Sequence, residues 1–80
     1  MRVIGSVAVV PSDAEFTRRD AEGNYPDAIY AETAGNVELE LIDGSRMTLA
    51  IEAGEDRAYS FRRVLNTGTT ATGIRGLFLK

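Results

Sequence analysis

The sequence predicts an all-β fold, a small antiparallel β-sandwich or barrel of five to six short strands with an irregular N-terminal arm. Three observations carry this reading. Val37-Glu38-Leu39-Glu40-Leu41 alternates strictly between apolar and acidic residues, and Met47-Thr48-Leu49-Ala50-Ile51 alternates in the same way; a period of two marks a half-buried strand. Turn residues recur at short intervals through the second half of the chain, at Asp43-Gly44, Gly54-Glu55-Asp56 and Asn66 to Gly73, as expected for many short strands. Only Ala14 to Glu22 has helical character, and it runs into Gly23-Asn24 with Pro26 close behind. A helix of about two turns is not stable alone.

The chain of 80 residues makes one domain. Residues 1–26 read as an arm that needs a surface to lie on, and residues 27–80 as the β domain. Val7 to Val10 is a candidate strand within the arm. Ala28 to Thr33 supplies a strand before the alternating pair, and Ile74 to Leu79 supplies the last.

Register follows from which side chains must share a face. A two-residue loop at Asp43-Gly44 would set Leu41 opposite Arg46 and throw every later apolar residue out of step. A three-residue loop, Asp43-Gly44-Ser45, pairs Leu41 with Met47, Leu39 with Leu49 and Val37 with Ile51, and turns Glu38 and Glu40 outward. Burial of a large apolar side chain is worth about 1.5–3 kcal/mol, which makes these six the expected heart of the core. Gly54-Glu55-Asp56 as the next loop continues a meander, pairing Ile51 with Tyr59 and Leu49 with Phe61. The adjacent Arg62-Arg63 then calls for a β-bulge that returns Val64 to the apolar face.

Composition excludes several function classes. The chain contains neither cysteine nor histidine. That removes disulfides, thiolate zinc sites, the commonest metal ligand and the commonest general base near neutral pH. The net charge of −3 argues against nucleic acid as a partner, and no apolar run approaches the ~20 residues of a membrane span. The first ten residues carry one Arg and an apolar stretch, but Gly5-Ser6 interrupts it, so they do not read as a signal peptide. A core of this size buries only roughly 60% of the unfolded surface. With no sulfur staple, partner chains are the expected source of further burial. No cofactor is expected.

Asp20, Glu22, Asn24 and Asp27 have the look of a calcium loop, but Tyr25 and Ala31 stand where an EF-hand needs glycine and a carboxylate. A solvated acidic turn is the expected reading. Glu38 and Glu40 lack an apolar pocket to raise a pKa on the wet face assigned to them. Asn66 to Gly73, rich in threonine and glycine, lacks the Gly-Lys-Ser/Thr ending of a phosphate loop and reads as an ordered turn whose hydroxyls bond local backbone. Ser6, Ser12, Ser45 and Ser60 have no histidine to activate them. Eight of the nine basic residues are Arg, which serves either as a bidentate partner at interfaces or as a charged edge that discourages strand pairing.

A series of short motifs, in order, resembles a known family. Val9-Val10-Pro11-Ser12-Asp13, Ala28-Ile29-Tyr30-Ala31, Thr33-Ala34-Gly35-Asn36-Val37, Asp43-Gly44, Ala53-Gly54, Phe61-Arg62-Arg63-Val64 and Thr67 through Ile74 are similar to head-spike base proteins of gene transfer agents and related tailed phages. The likeness runs from about Val9 to Phe78. The segment Glu22-Gly23-Asn24-Tyr25-Pro26 is longer than the family pattern, and Ala58-Tyr59-Ser60-Phe61 carries aromatics in place of smaller aliphatics. The resemblance implies a structural, non-enzymatic virion protein at capsid vertices. It would form a homo-oligomer, a pentamer, contact the major capsid protein and hold a spike fibre. Such a protein would be assembled in the bacterial cytoplasm into a virion or phage-like particle. The assembly contacts expected on this reading are Pro11, Ser12, Asp13, Phe16, Tyr25, Arg62, Arg63, Thr69 and Thr70, with the arm crossing to a neighbouring subunit or to the shell. The alternative is a free-standing carbohydrate- or ligand-binding β-sandwich that reads sugars through Tyr25, Tyr30 and Tyr59.

Overall fold

A computed structural model describes residues 2–80. Seven short strands follow one another: β1 (Val3–Ala8), β2 (Ala28–Tyr30), β3 (Gly35–Leu41), β4 (Arg46–Ile51), β5 (Asp56–Arg57), β6 (Phe61–Leu65) and β7 (Arg75–Leu79). They build two antiparallel sheets, ordered β1-β7-β2-β5 and β4-β3-β6. One apolar core serves both, with Ile29 and Ile74 from the first sheet side meeting Val37, Leu39, Leu49, Ile51, Phe61 and Val64. The all-β sandwich read from the alternation is what forms. The two-turn helix expected at Ala14 to Glu22 does not: that segment is irregular backbone. The first strand starts earlier than expected, at Val3, and the strand after Pro26 ends at Tyr30 rather than Thr33.

The β3–β4 hairpin keeps the expected face and shifts the expected pairing. Leu39 lies opposite Met47 and Val37 opposite Leu49, each two residues from the partner derived above. The loop is Ile42-Asp43-Gly44, closed by Gly44 N–H to Leu41 O at 2.9 Å and Leu41 N–H to Ser45 O at 2.8 Å. Gly44 takes φ +90, the left-handed residue that ends a three-residue loop. Asp43 accepts from the Ser45 N–H and hydroxyl and fixes the turn. A displacement of two leaves the inward set unchanged, so alternation alone does not distinguish the two pairings.

The meander is not formed. After β4 the chain crosses to the other sheet, where Gly54 N–H bonds Ala31 O and β5 pairs with β2. It returns as β6 on the far side of β3, with Leu41 opposite Phe61 and Leu39 opposite Val64. The pairings of Ile51 with Tyr59 and of Leu49 with Phe61 are therefore replaced. The bulge at Arg62-Arg63 is present, between the Glu40–Arg63 and Leu41–Phe61 pairs, but it faces β3 instead of β4.

The start of the chain lies on its own body. β1 pairs with β7, Val9 N–H bonds Ile74 O, and the following residues pass over to β6, where Ser12 N–H meets Val64 O and Thr17 N–H meets Arg62 O. The backbone N–H groups of Val9, Ser12 and Thr17 thus find acceptors within the same chain. No helix among the described residues is long and apolar enough to cross a membrane.

Candidate functional site

The β6 bulge organises a polar cluster. A bulge sets two consecutive residues against one on the facing strand, and here both Arg62 and Arg63 converge on Glu40. Arg62 Nε donates to Glu40 Oε2 and Arg63 Nη2 to Glu40 Oε1, each at 2.6 Å, while Arg46 Nε stands 3.6 Å from Oε1. Glu40 was expected on the wet face; it is only 2% exposed. The guanidinium groups of Arg62 and Arg63 occupy both of its oxygens. Residues 12–17 lie along β6, and the Phe16 ring sits 5.1 Å from the Arg62 guanidinium and 4.9 Å from that of Arg63, distances at which a cation is drawn to the ring face.

Two further contacts secure this segment. Arg63 Nη1 donates to Asp13 O, and the Asp13 carboxylate accepts from the Thr67 N–H at 3.0 Å and the Thr67 hydroxyl at 2.7 Å. Ser12 Oγ accepts from the N–H groups of Ala14 and Glu15, shaping the bend that delivers Asp13 and Phe16. Tyr25 packs edge-on against Phe16, with ring centres 6.3 Å apart, and carries the Arg19 guanidinium over its own face.

The Thr-rich loop is ordered, but its hydroxyls bond the backbone of β3 as well as the local backbone expected of them. Thr69 Oγ1 accepts from Glu38 N–H and donates to Leu65 O; Thr70 Oγ1 accepts from Asn36 N–H; Thr72 N–H donates to the Thr33 hydroxyl. These hydroxyls extend the β3 ladder past the end of β6, satisfying backbone that would otherwise lack partners.

The electrostatics follow. The Arg63 hydrogen bond holds the Glu40 carboxyl below its ordinary 4.5, against burial, which pushes it up; Arg62 adds to the lowering. The Thr67 backbone and hydroxyl donors hold Asp13 below its ordinary 3.8. Both carboxylates are firmly ionised near neutral pH, the opposite of the raised pKa a general acid requires. Among the described residues no three acidic, His or Cys side chains group as a metal site. In the acidic turn, Asp20 accepts from the N–H groups of Glu22 and Asn24.

Of the expected contact residues, Ser12, Asp13, Phe16, Arg62 and Arg63 come together here, Tyr25 joins through Phe16, and Pro11 leads in beside Ser12 in the chain. Thr69 and Thr70 lie apart, bonded to the backbone of β3. The hub, Glu40, was missed. Alternation assigned it to solvent, and the usable signal was a lone carboxylate facing two adjacent arginines. The three tyrosines do not gather: Tyr59 packs against the core, Tyr30 is half-buried in β2, and Tyr25 lines an open cleft of about 550 Å³ with Ile4, Ile42 and Phe78.

No protein-family model matches the chain, and no curated protein matches it. Among solved structures, one described as the capsid of a native GTA (gene transfer agent) particle computed with C5 symmetry contains a similar chain. The two are 32% identical and superpose with a TM-score of 0.81 over 95% of this chain and 83% of that one.

Proposed function

Because the chain belongs to the family of that gene transfer agent capsid component, we propose that it is a head-spike base subunit of a phage-like particle. In this reading it is a non-catalytic structural protein at capsid vertices, present as a homo-oligomer, a pentamer, which seats on the major capsid protein and anchors a fibre or receptor-binding protein. Assembly takes place in the bacterial cytoplasm, without nucleic acid or membrane as a partner. The single observation that carries it is the likeness to a chain within an assembled capsid, at 32% identity over 95% of this chain and 83% of that one.

The cluster around Glu40 supports a mechanical role. It joins β3, β6 and the segment from Ser12 to Thr17 into one block, and exposes Phe16 at 51% and the neighbouring Val10 at 83%. Apolar side chains mounted on a rigid, charge-balanced base suit a docking surface. On this reading Pro11, Ser12, Asp13, Phe16, Tyr25, Arg62 and Arg63 contact the shell or a neighbour directly or hold the residues that do, and Thr69 and Thr70 stiffen the adjoining loop.

Deleting the gene in the cells that make the particle tests the proposal. Particles should still form and fill with DNA but lack vertex projections and adhere poorly to recipient cells. Particles with intact projections would refute the head-spike assignment; failure of the shell itself would point to a shell-building role.

A further inference from the structure

Each sheet has two edges, and a strand edge is an adhesive surface that proteins usually blunt by shortness, charge, proline or cover. Two of the four are blunted here. β5 is only two residues long, Asp56–Arg57, and β6 is covered by the backbone of Ser12 and Thr17. β1 is less protected: its ladder slips between Val3 and Gly5, but the regular run beyond it, Gly5-Ser6-Val7-Ala8, holds no charged residue and no proline, and the Arg75 guanidinium beside it is bonded to the Ser6 hydroxyl. β4, Arg46–Ile51, is the other open edge.

Hydrogen-bond alternation identifies the groups these edges present. Val9 N–H bonds Ile74 O, so in an antiparallel ladder Val7 and Val9 face β7, while the backbone N–H and C=O of Ser6 and Ala8 point away from it. Leu41 N–H bonds Ser45 O, so Met47, Leu49 and Ile51 face β3, and Arg46, Thr48 and Ala50 present theirs outward. Arg46, the one charged residue of β4, stands 3.6 Å from Glu40, and the Thr48 hydroxyl donates to Glu38. Neither edge therefore repels an uncharged strand.

The two edges lie on opposite flanks. Only Val9, Val10 and Pro11 separate the end of β1 from Ser12, which bonds β6, so β1 and β6 share one flank. Only residues 52–55 separate β4 from β5, so these share the other. We infer that the β1 edge of one copy pairs with the β4 edge of the next. A contact between unlike surfaces on opposite flanks passes from copy to copy and closes when the rotation completes a ring. This rests on the homo-oligomeric part of the proposed function and names its surfaces.

Ala8→Pro and Ala50→Pro each remove one outward N–H at an edge position that tolerates proline. In sedimentation, wild type should form a closed oligomer and each variant a monomer with a cooperative melt. An equal mixture of the two should form a dimer, because each retains the edge that the other has lost. Either variant keeping the wild-type mass would overturn the inference. So would an Ala50→Pro protein that dimerises alone, which would mean β1 pairs with β1. A wild-type chain that stays monomeric at all concentrations overturns it too, while leaving the location in the particle to be decided by imaging. Should a variant not fold, amide exchange of wild type decides: the Ser6, Ala8, Thr48 and Ala50 amides should slow on assembly by roughly tenfold or more, and unchanged rates would sink the pairing.

Discussion

Arg63 Nη2 lies 2.6 Å from Glu40 Oε1, and the same guanidinium donates through Nη1 to the backbone oxygen of Asp13. One side chain thus ties the end of β3 to the segment that runs along β6. Removing one member of a buried pair leaves the other charge without compensation, whereas replacing the whole group with apolar residues is often tolerated. Glu40→Gln should therefore lower the melting temperature well beyond Glu38→Gln, whose carboxylate is only half-buried. The double variant Glu40→Leu, Arg63→Met should recover part of the loss. Thermal melts of the four proteins check this, and equal effects at positions 38 and 40 would contradict it.

The same carboxylate sets an acid limit. Folding lowers Glu40 from 4.5 and Asp13 from 3.8, by hydrogen bonds to Arg63 and Thr67 respectively. The unfolded chain therefore binds protons more readily, and stability falls as pH falls. The contribution is complete above the ordinary carboxylate values and is lost as pH drops through the lowered ones. Melting temperature should be flat near neutrality and fall below about pH 4.5, with a shallower fall in Glu40→Gln. A profile unchanged by that substitution would show that other carboxylates govern acid unfolding.

Asp13 and Thr67 form the clasp on the crossing segment. Asp13→Ala removes two hydrogen bonds and leaves the core untouched. Exchange of the Ser12 and Thr17 amides, which bond β6, should quicken by roughly tenfold while the β3 amides keep their protection. Uniform quickening would mean that the clasp supports the whole fold.

How much of this was legible beforehand varies by element. Val37 to Leu41 and Met47 to Ile51 announced their inward faces correctly, because period-two alternation reports burial directly. Their register came out displaced by two, since Val37 faces inward whether its partner is Ile51 or Leu49. The bulge was readable from Arg62-Arg63, where a charged pair interrupts an apolar face. Its partner strand was not, because Phe61 and Val64 satisfy the core equally from either side of the hairpin. Glu40 was misplaced because alternation assigns a face without saying whether that face is later covered. The Glu40 oxygens are taken by Arg62 and Arg63, whose guanidiniums Phe16 faces; Phe16 is 24 positions from Glu40, and no local pattern brings the two together. Ser12, Asp13 and Phe16 do meet Arg62 and Arg63, but within one chain.

Core and surface aromatics should separate cleanly. Phe61 is fully buried, and Phe61→Ala should cost about 3–5 kcal/mol, a large part of the ~5–15 kcal/mol that holds a domain together. Phe16→Ala should melt much closer to wild type yet reduce incorporation into particles. Gly76 belongs with the core: an added Cβ would stand 2.5 Å from Pro26 Cγ, so Gly76→Ala should cost about 1–3 kcal/mol by overpacking. Denaturant melts give the first and third values, and quantitative blotting of purified particles gives the second.

Electron cryo-microscopy of particles carrying an epitope-tagged copy of the chain, with antibody fragments bound to the tag, is the most direct measurement. Label confined to the capsid vertices, several copies at each, is the expected result. Label spread evenly over the shell, found on the tail, or missing from purified particles would contradict a vertex-seated structural subunit.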